Sequence, residues 1–268
     1  MIQKIIPSLV LVLCGSIFNS AFTQELEAYR IYDKSGKKVE FGKMSKELQS
    51  KQVILFGELH NNPISHWMQL ELTKSLAEKS NKVALGAEMF ETDDQLVLDE
   101  YLEGLMKVDQ FKKEAKVWPN FDTDYLPLLD FAKEMDFPFI ATNVPRRYAS
   151  LVSKMGQSAL DSLTSEAKAL FPALPYEVTE GDSGYADMRA MMGTHGMGMN
   201  VEDFIAAQAL KDYTMASFIF RNLPQNGTFI HFNGSFHSQK FSGIYNFLKK
   251  ENPELKIGVI ATVESDDL

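Results

Sequence analysis

Cysteine is nearly absent from this chain of 268 residues: Cys14 is the only one, so no disulfide can form within it. The fold must therefore be held by its hydrophobic core alone, even in an oxidising compartment. Runs of positive charge are also missing. No more than two basic residues stand together, and 27 Lys and Arg face 36 Asp and Glu, for a formal net charge of −9. A chain of that balance is a poor partner for a phosphate backbone, which excludes nucleic-acid binding. After the first two dozen residues no apolar run is long enough to cross a bilayer. There is no internal repeat and no low-complexity segment, which argues against a solenoid or a disordered linker.

The N-terminus reads as an address. Lys4 is followed by an apolar run from Ile5 to Leu13, and Ala21 and Thr23 occupy the minus-three and minus-one positions of a cut before Gln24. That is the pattern of a secretory signal peptide over residues 1–23. Leu11-Val12-Leu13-Cys14 is similar to a bacterial lipobox, with Leu13 where a small residue is usual. Two alternatives stand: a lipid on Cys14, or cleavage before Gln24. Both make the protein an exported one, periplasmic or tethered to the outer membrane. Residues 24–268 are enough for a single domain with a full core.

Four short apolar runs each stop in polar chemistry: VILFGELH (53–60), VALGAEMF (83–90), FIATNVPRR (139–147) and FIHFNGSFH (229–237). Apolar runs of this length, bounded by turn residues, predict buried strands. Helical segments separate them. Asn61 or Asn62 with Pro63 opens one, Thr92-Asp93-Asp94 another, and Tyr125–Met135 a third. Residues 146–222 are mostly helical, ending in a helix over 201–222 capped by Asn200. A last strand falls within 255–263, and residues 27–41 read as a hairpin turning near Asp33–Gly36. The prediction is an α/β fold: a central, largely parallel (mixed) sheet flanked by helices, with a helical insertion between the third and fourth core strands. In such sheets ligands bind beyond the carboxyl ends of the strands.

The residues at those ends are the candidates. Glu58 and His60, two apart, leave the same face of an extended strand and suit a divalent metal or a general acid–base pair, or simply hold each other. Glu88 ends an apolar strand, and a buried carboxylate needs a partner. A metal, Arg146 or a histidine would serve. His237 follows Asn233-Gly234 on a glycine turn that admits a ligand closely. Glu58, His60, Glu88 and His237 thus make a candidate metal set, with Glu58 or Glu88 as the base of a hydrolase. His231, inside its strand, reads as core, and His66 lies one turn into the first helix. Arg146 and Arg147 end the third strand, where a guanidinium clamps an anion. Finally, residues 184–199 hold five of thirteen methionines. Clustered Met makes a soft surface for a flat apolar ligand, and Tyr185 and His195 are groups able to ligate iron in it.

Several of these residues, in this order, resemble the ChaN-like haem-binding uptake family of the Tiki superfamily. The marks are Gly57-Glu58-Leu59-His60-Asn61 with His66 and Gln69; Ala84-Leu85-Gly86-Ala87-Glu88-Met89-Phe90 with Gln95; Asn143-Val144-Pro145-Arg146; Ala207-Gln208 with Asp212 and Met215-Ala216; and Asn233-Gly234 before His237. The likeness runs over about 45–263. Lys211 stands where many relatives carry an aromatic, and Ser235-Phe236 replaces a tighter Asn-Gly-His turn. The resemblance implies an exported haem-binding protein of iron acquisition, using a tyrosine ligand at a homodimer interface, with an outer-membrane haem receptor as partner. It also implies kinship with metal-dependent Tiki-type proteases.

Overall fold

The computed structural model describes residues 27–80, 82–193 and 200–265. The expected leader with Cys14, and His195 with Met197 and Met199, lie outside the described residues.

A small antiparallel hairpin, β1 (Ile31–Tyr32) and β2 (Lys38–Val39), turns where Asp33 accepts the N–H groups of Ser35 and Lys37. Helix α1 (Phe41–Leu48) then leads to β3 (Val53–Glu58). The chain continues through α2 (Pro63–Ala77), β4 (Val83–Glu91), α3 (Gln95–Leu102), α4 (Val108–Glu114), α5 (Leu126–Met135) and β5 (Phe139–Asn143). The helical insertion holds α6 (Arg146–Met155), α7 (Ser165–Lys168), α8 (Ser183–Gly193) and α9 (Val201–Arg221), and β6 (Thr228–Gly234), α10 (Ile244–Glu251) and β7 (Ile257–Ala261) follow. The capping predictions hold locally: Asn62 accepts from the Ser65 N–H at 3.0 Å, and Asn200 from the Glu202 N–H at 3.0 Å. Helix α4 lies between the helices expected at Thr92 and over Tyr125–Met135, where the sequence offered no element. It is seven residues long with Phe111 as its one buried side chain, too little for a periodic signal.

The five core strands stand in the order β5-β4-β6-β3-β7, and every pairing is parallel. The sheet is therefore not mixed, since the antiparallel pairing stays in the separate hairpin. Alternate residues feed opposite faces. Ile54, Phe56, Leu85, Ala87 and Phe232 pack under α2, α3, α4 and α5, whereas Val53, Leu55, Ala84 and Phe229 pack under α6, α9 and α10. Both faces are covered, which is why the strands read as unbroken apolar runs. The insertion lets β6 return to the middle, between β4 and β3. That places the ends of β4, β6 and β3 side by side.

Candidate functional site

Strand parity decides the geometry of the site. Glu58 continues the face of Ile54 and Phe56, so its buried carboxyl group points toward α2 and α5. There it accepts from Gln69 Nε2 at 2.6 Å, Tyr125 Oη at 2.7 Å and His60 Nδ1 at 2.8 Å. Burial, and then the neighbouring Glu58, push the Tyr125 hydroxyl far above its ordinary range, so it stays a donor. Glu58 and His60 do leave the same face. The hydrogen bond it donates to Glu58 raises the His60 imidazole above its usual value, against partial burial. Trp118 meets the His60 ring edge-on at 4.8 Å between centroids. His66 stands behind the pocket: it is buried, with its ring nitrogens 3.1 Å from Gln69 Oε1 and 3.1 Å from the His60 carbonyl.

Glu88 has the parity of Ala84 and looks to the other side. The β4–β5 register slips between Ala87 and Glu91, four residues running against two, and Asn143 Nδ2 holds the Glu88 carbonyl at 3.0 Å within that bulge. Glu88 accepts the Gly234 N–H at 2.8 Å and lies 3.1 Å from His237 Nε2. His237 Nδ1 in turn is 2.5 Å from Asp212 of α9, and Asp212 accepts from the Tyr185 hydroxyl at 2.7 Å. A buried chain thus runs Tyr185–Asp212–His237–Glu88. Burial opposes the charge on His237, but the carboxylates of Glu88 and Asp212 outweigh it and raise its pKa to about 10. Burial likewise opposes ionisation of Glu88, yet the His237 charge and the Gly234 N–H hold it well below the carboxylate range. Asp212 differs: desolvation prevails there and raises it. His237 is thus held between two carboxylates, 2.5 Å from Asp212 and 3.1 Å from Glu88.

The two halves meet at Gly234. A Cβ on that residue would stand 2.9 Å from both Cε1 and Nε2 of His60 and 3.5 Å from Glu88 Oε2. Only glycine lets the imidazole lie against the strand end beside Glu88. His231 is core, as its place in the strand suggested. It is buried between Thr142 Oγ1 at 2.8 Å and Asn233 Oδ1 at 3.1 Å, and burial lowers it to about 4.

Several expectations need correction. Glu58, His60, Glu88 and His237 do not form one ligand set, and among the described residues no three His, Cys, Asp or Glu side chains are placed to hold a metal ion. The reason is that the donors are spent on each other: both His237 nitrogens face carboxylates, and both Glu58 oxygens accept hydrogen bonds. Glu58 is a buttress in this arrangement, not an exposed base. Glu88 is partnered by His237, not by Arg146, which is exposed at the first turn of α6. Its neighbour Arg147 pairs with Asp93 at 2.6 Å. Tyr185, expected to face a ligand, is buried with its hydroxyl on Asp212. Three partners were given no role in the sequence reading: Gln69 and Asp212, named there only as family marks, and Tyr125. Asp212 was detectable, for it interrupts the buried stripe Ile205, Ala209, Ala216, Ile219 of α9 at the i+3/i+4 spacing. Tyr125 ends a π-helical turn, Phe121–Tyr125, and offered no such signal.

A parallel sheet covered on both faces, with a polar cluster at the carboxyl ends of adjacent strands, defines a protein of the open α/β class. The sequence matches the model of the family described as "Haem-binding uptake, Tiki superfamily, ChaN" over residues 44–248, and the chain belongs to that family. Among solved structures it is similar to ChaN of Campylobacter jejuni, a structure of cofacial haem binding. The TM-score is 0.67 at 18% identity, covering 87% of this chain and 90% of that one. A looser likeness, TM-score 0.47 at 15% identity, covers 84% of this chain and 36% of RRSP, a MARTX toxin effector domain from Vibrio vulnificus. Among curated proteins, Protein RETICULATA-RELATED 5, chloroplastic, of Arabidopsis thaliana is 24% identical over 222 residues, and the chain spans 30% of that relative's length.

Proposed function

We propose that this protein binds haem and contributes to haem and iron uptake as an exported protein. The observation that carries this reading is family membership over residues 44–248. The leader over residues 1–23, the tether at Cys14, a receptor in the outer membrane and a homodimer belong to the same proposal. Titrating the purified protein with haemin is the test: a saturable absorption band at fixed stoichiometry is expected, and a featureless, non-saturating response would end the reading. Tyr185→Phe belongs in the same experiment. Because the Tyr185 hydroxyl is buried on Asp212, the variant is expected to leave the bound-haem spectrum unchanged while losing about 1–3 kcal/mol of stability. A shifted band would return Tyr185 to the iron.

A second reading, hydrolysis, is favoured by one feature. His66, His231 and His237 are buried, whereas the His60 side chain is 41% exposed, with Nδ1 held by Glu58. A histidine with one ring nitrogen held by a carboxylate and its side chain partly open to solvent suits a general base for water attack. As placed, the donors make no metal site, so this reading rests on His60. Gly234→Ala drives a Cβ into the His60 ring while leaving the buried chain in place. It is expected to cut hydrolysis of a simple activated ester by about a hundredfold or more, the range of a general base, with the far-UV spectrum unchanged. Absence of any His60-dependent turnover in the unaltered protein would exclude the activity.

A further inference from the structure

We infer that a second copy of this chain pairs with the outer edge of β7, antiparallel and about a two-fold axis at Ile260, so that two five-stranded sheets join into one. The inference goes beyond the haem reading and does not rest on it, because backbone groups make this contact without a ligand.

An open sheet has two edges, and this protein treats them differently. β5 is one of them. There the side-chain amide of Gln95 runs alongside the strand, Nε2 donating to the Phe139 carbonyl at 3.0 Å and Oε1 accepting the Ala141 N–H at 2.7 Å. One residue of α3 thus occupies the backbone groups of that edge. β7 is the other edge, and it pairs only with β3. Inward, the Lys256 carbonyl accepts from the Val53 N–H at 3.2 Å, and the Thr262 N–H donates to the Gly57 carbonyl at 2.9 Å. Successive residues of a strand turn their backbone groups to opposite sides, so Gly258 and Ile260 also face β3. Ile257, Val259 and Ala261 then present N–H and C=O outward, and among the described residues nothing bonds to them. The strand itself is IGVIA, without charge, proline or bulge, so nothing in it blunts the edge.

The flanks select both the partner and the register. A strand that pairs antiparallel with its own copy can match outward-facing residues only with outward-facing ones. One such register sets Ile257 opposite Val263 and Val259 opposite Ala261, with Ile260 facing itself. It also sets Lys256 opposite Glu264, once at each end of the paired strands. Both of these side chains are exposed, and neither forms an ion pair with another described residue. They fall in a non-hydrogen-bonded pair, where side chains stand closest and opposite charges attract. Val263, 75% exposed, gains an apolar neighbour in the same step, Ile257 of the second copy. One segment therefore supplies the cation, the anion and the apolar cover that its own copy requires, as a self-complementary two-fold contact does.

Sedimentation equilibrium of the purified full chain without haemin is the test, and a concentration-dependent dimer is expected. Ala261→Pro removes one outward N–H and sets its ring in the path of the second copy, at a position where an edge strand tolerates proline. It is expected to leave a monomer with the melting temperature retained. Lys256→Glu and Glu264→Lys alter exposed side chains, and each is expected to weaken the dimer about tenfold by creating two like-charge contacts. Combining the two restores opposite signs and should return the affinity to that of the unaltered chain. A chain that stays monomeric at every concentration overturns the inference, as does a dimer that survives Ala261→Pro or is indifferent to both charge reversals. A dimer seen only after haemin is added overturns it too, while the haem reading stands. A ligand-free dimer in a chain that binds no haemin ends the haem reading alone.

Discussion

His237→Ala is expected to destabilise the protein by about 3–5 kcal/mol, the cost of removing one partner from a buried ion pair. For a domain of this size that lowers the melting temperature by roughly 6–20 °C. The substitution leaves Glu88 and Asp212 facing each other's charge in a buried space, with only the Gly234 N–H and the Tyr185 hydroxyl to satisfy them. The same group predicts the pH dependence. The folded-state pKa of His237 lies at about 10, raised from 6.5 by the two carboxylates against burial. The folded protein therefore binds a proton that the unfolded chain releases, and its contribution is fully present below pH 6.5 and lost as pH rises to about 10. Chemical denaturation of the unaltered protein should show stability falling across that window, and His237→Ala should flatten the profile there. An unchanged slope in the variant would show that His237 is not charged in the folded state. Glu88 acts at the opposite end. Its depressed value adds stability above the unfolded pKa of 4.5, which is lost as the solution is acidified.

Gly57→Ala ranks second, at about 1–3 kcal/mol or somewhat more, because the added methyl overpacks backbone instead of a side chain that can swing aside. Its Cβ would stand 2.9 Å from Ser235 Cα and 3.0 Å from the Ile260 carbonyl oxygen. β6 and β7 lie on either side of β3 here, so neither neighbour can yield without opening the sheet. Ser235 also begins the turn that carries His237. The substitution should therefore loosen the site along with the fold, read as a lower denaturation midpoint together with weaker binding of whichever ligand the pocket takes. A variant as stable as the parent would mean that β3 and the Ser235 turn are not in this contact.

The strand and helix plan was legible because it rests on local chemistry. Runs such as Val53–Phe56 and Val83–Leu85 are apolar on both faces, which a strand requires when helices cover the whole sheet. Asn62 and Asn200 cap helices with their own side chains, and Pro63 fits the first turn of its helix. The pairing of Glu58 with His60 was also readable, since it needs nothing beyond the two-residue period of an extended chain. Family membership was visible in motifs at the strand ends together with polar residues of α2 and α9.

The rest depends on residues far apart in the chain. Whether Glu88 meets Arg146 or His237 is settled by β6 entering the sheet between β4 and β3, 146 residues separating Glu88 from the Gly234 it binds. Asp212 reaches His237 only because α9 packs over that face, and no periodicity says which strand end a buried carboxylate will find. The fate of Tyr185 illustrates the limit. Its Met- and Gly-rich neighbours suggested an open surface, yet Asp182 and Asp212 draw it inward while Met191, two turns on, stays at the surface. Composition and period report what a residue prefers. Burial and partnership are set by which elements pack together, and only the assembled sheet decides that.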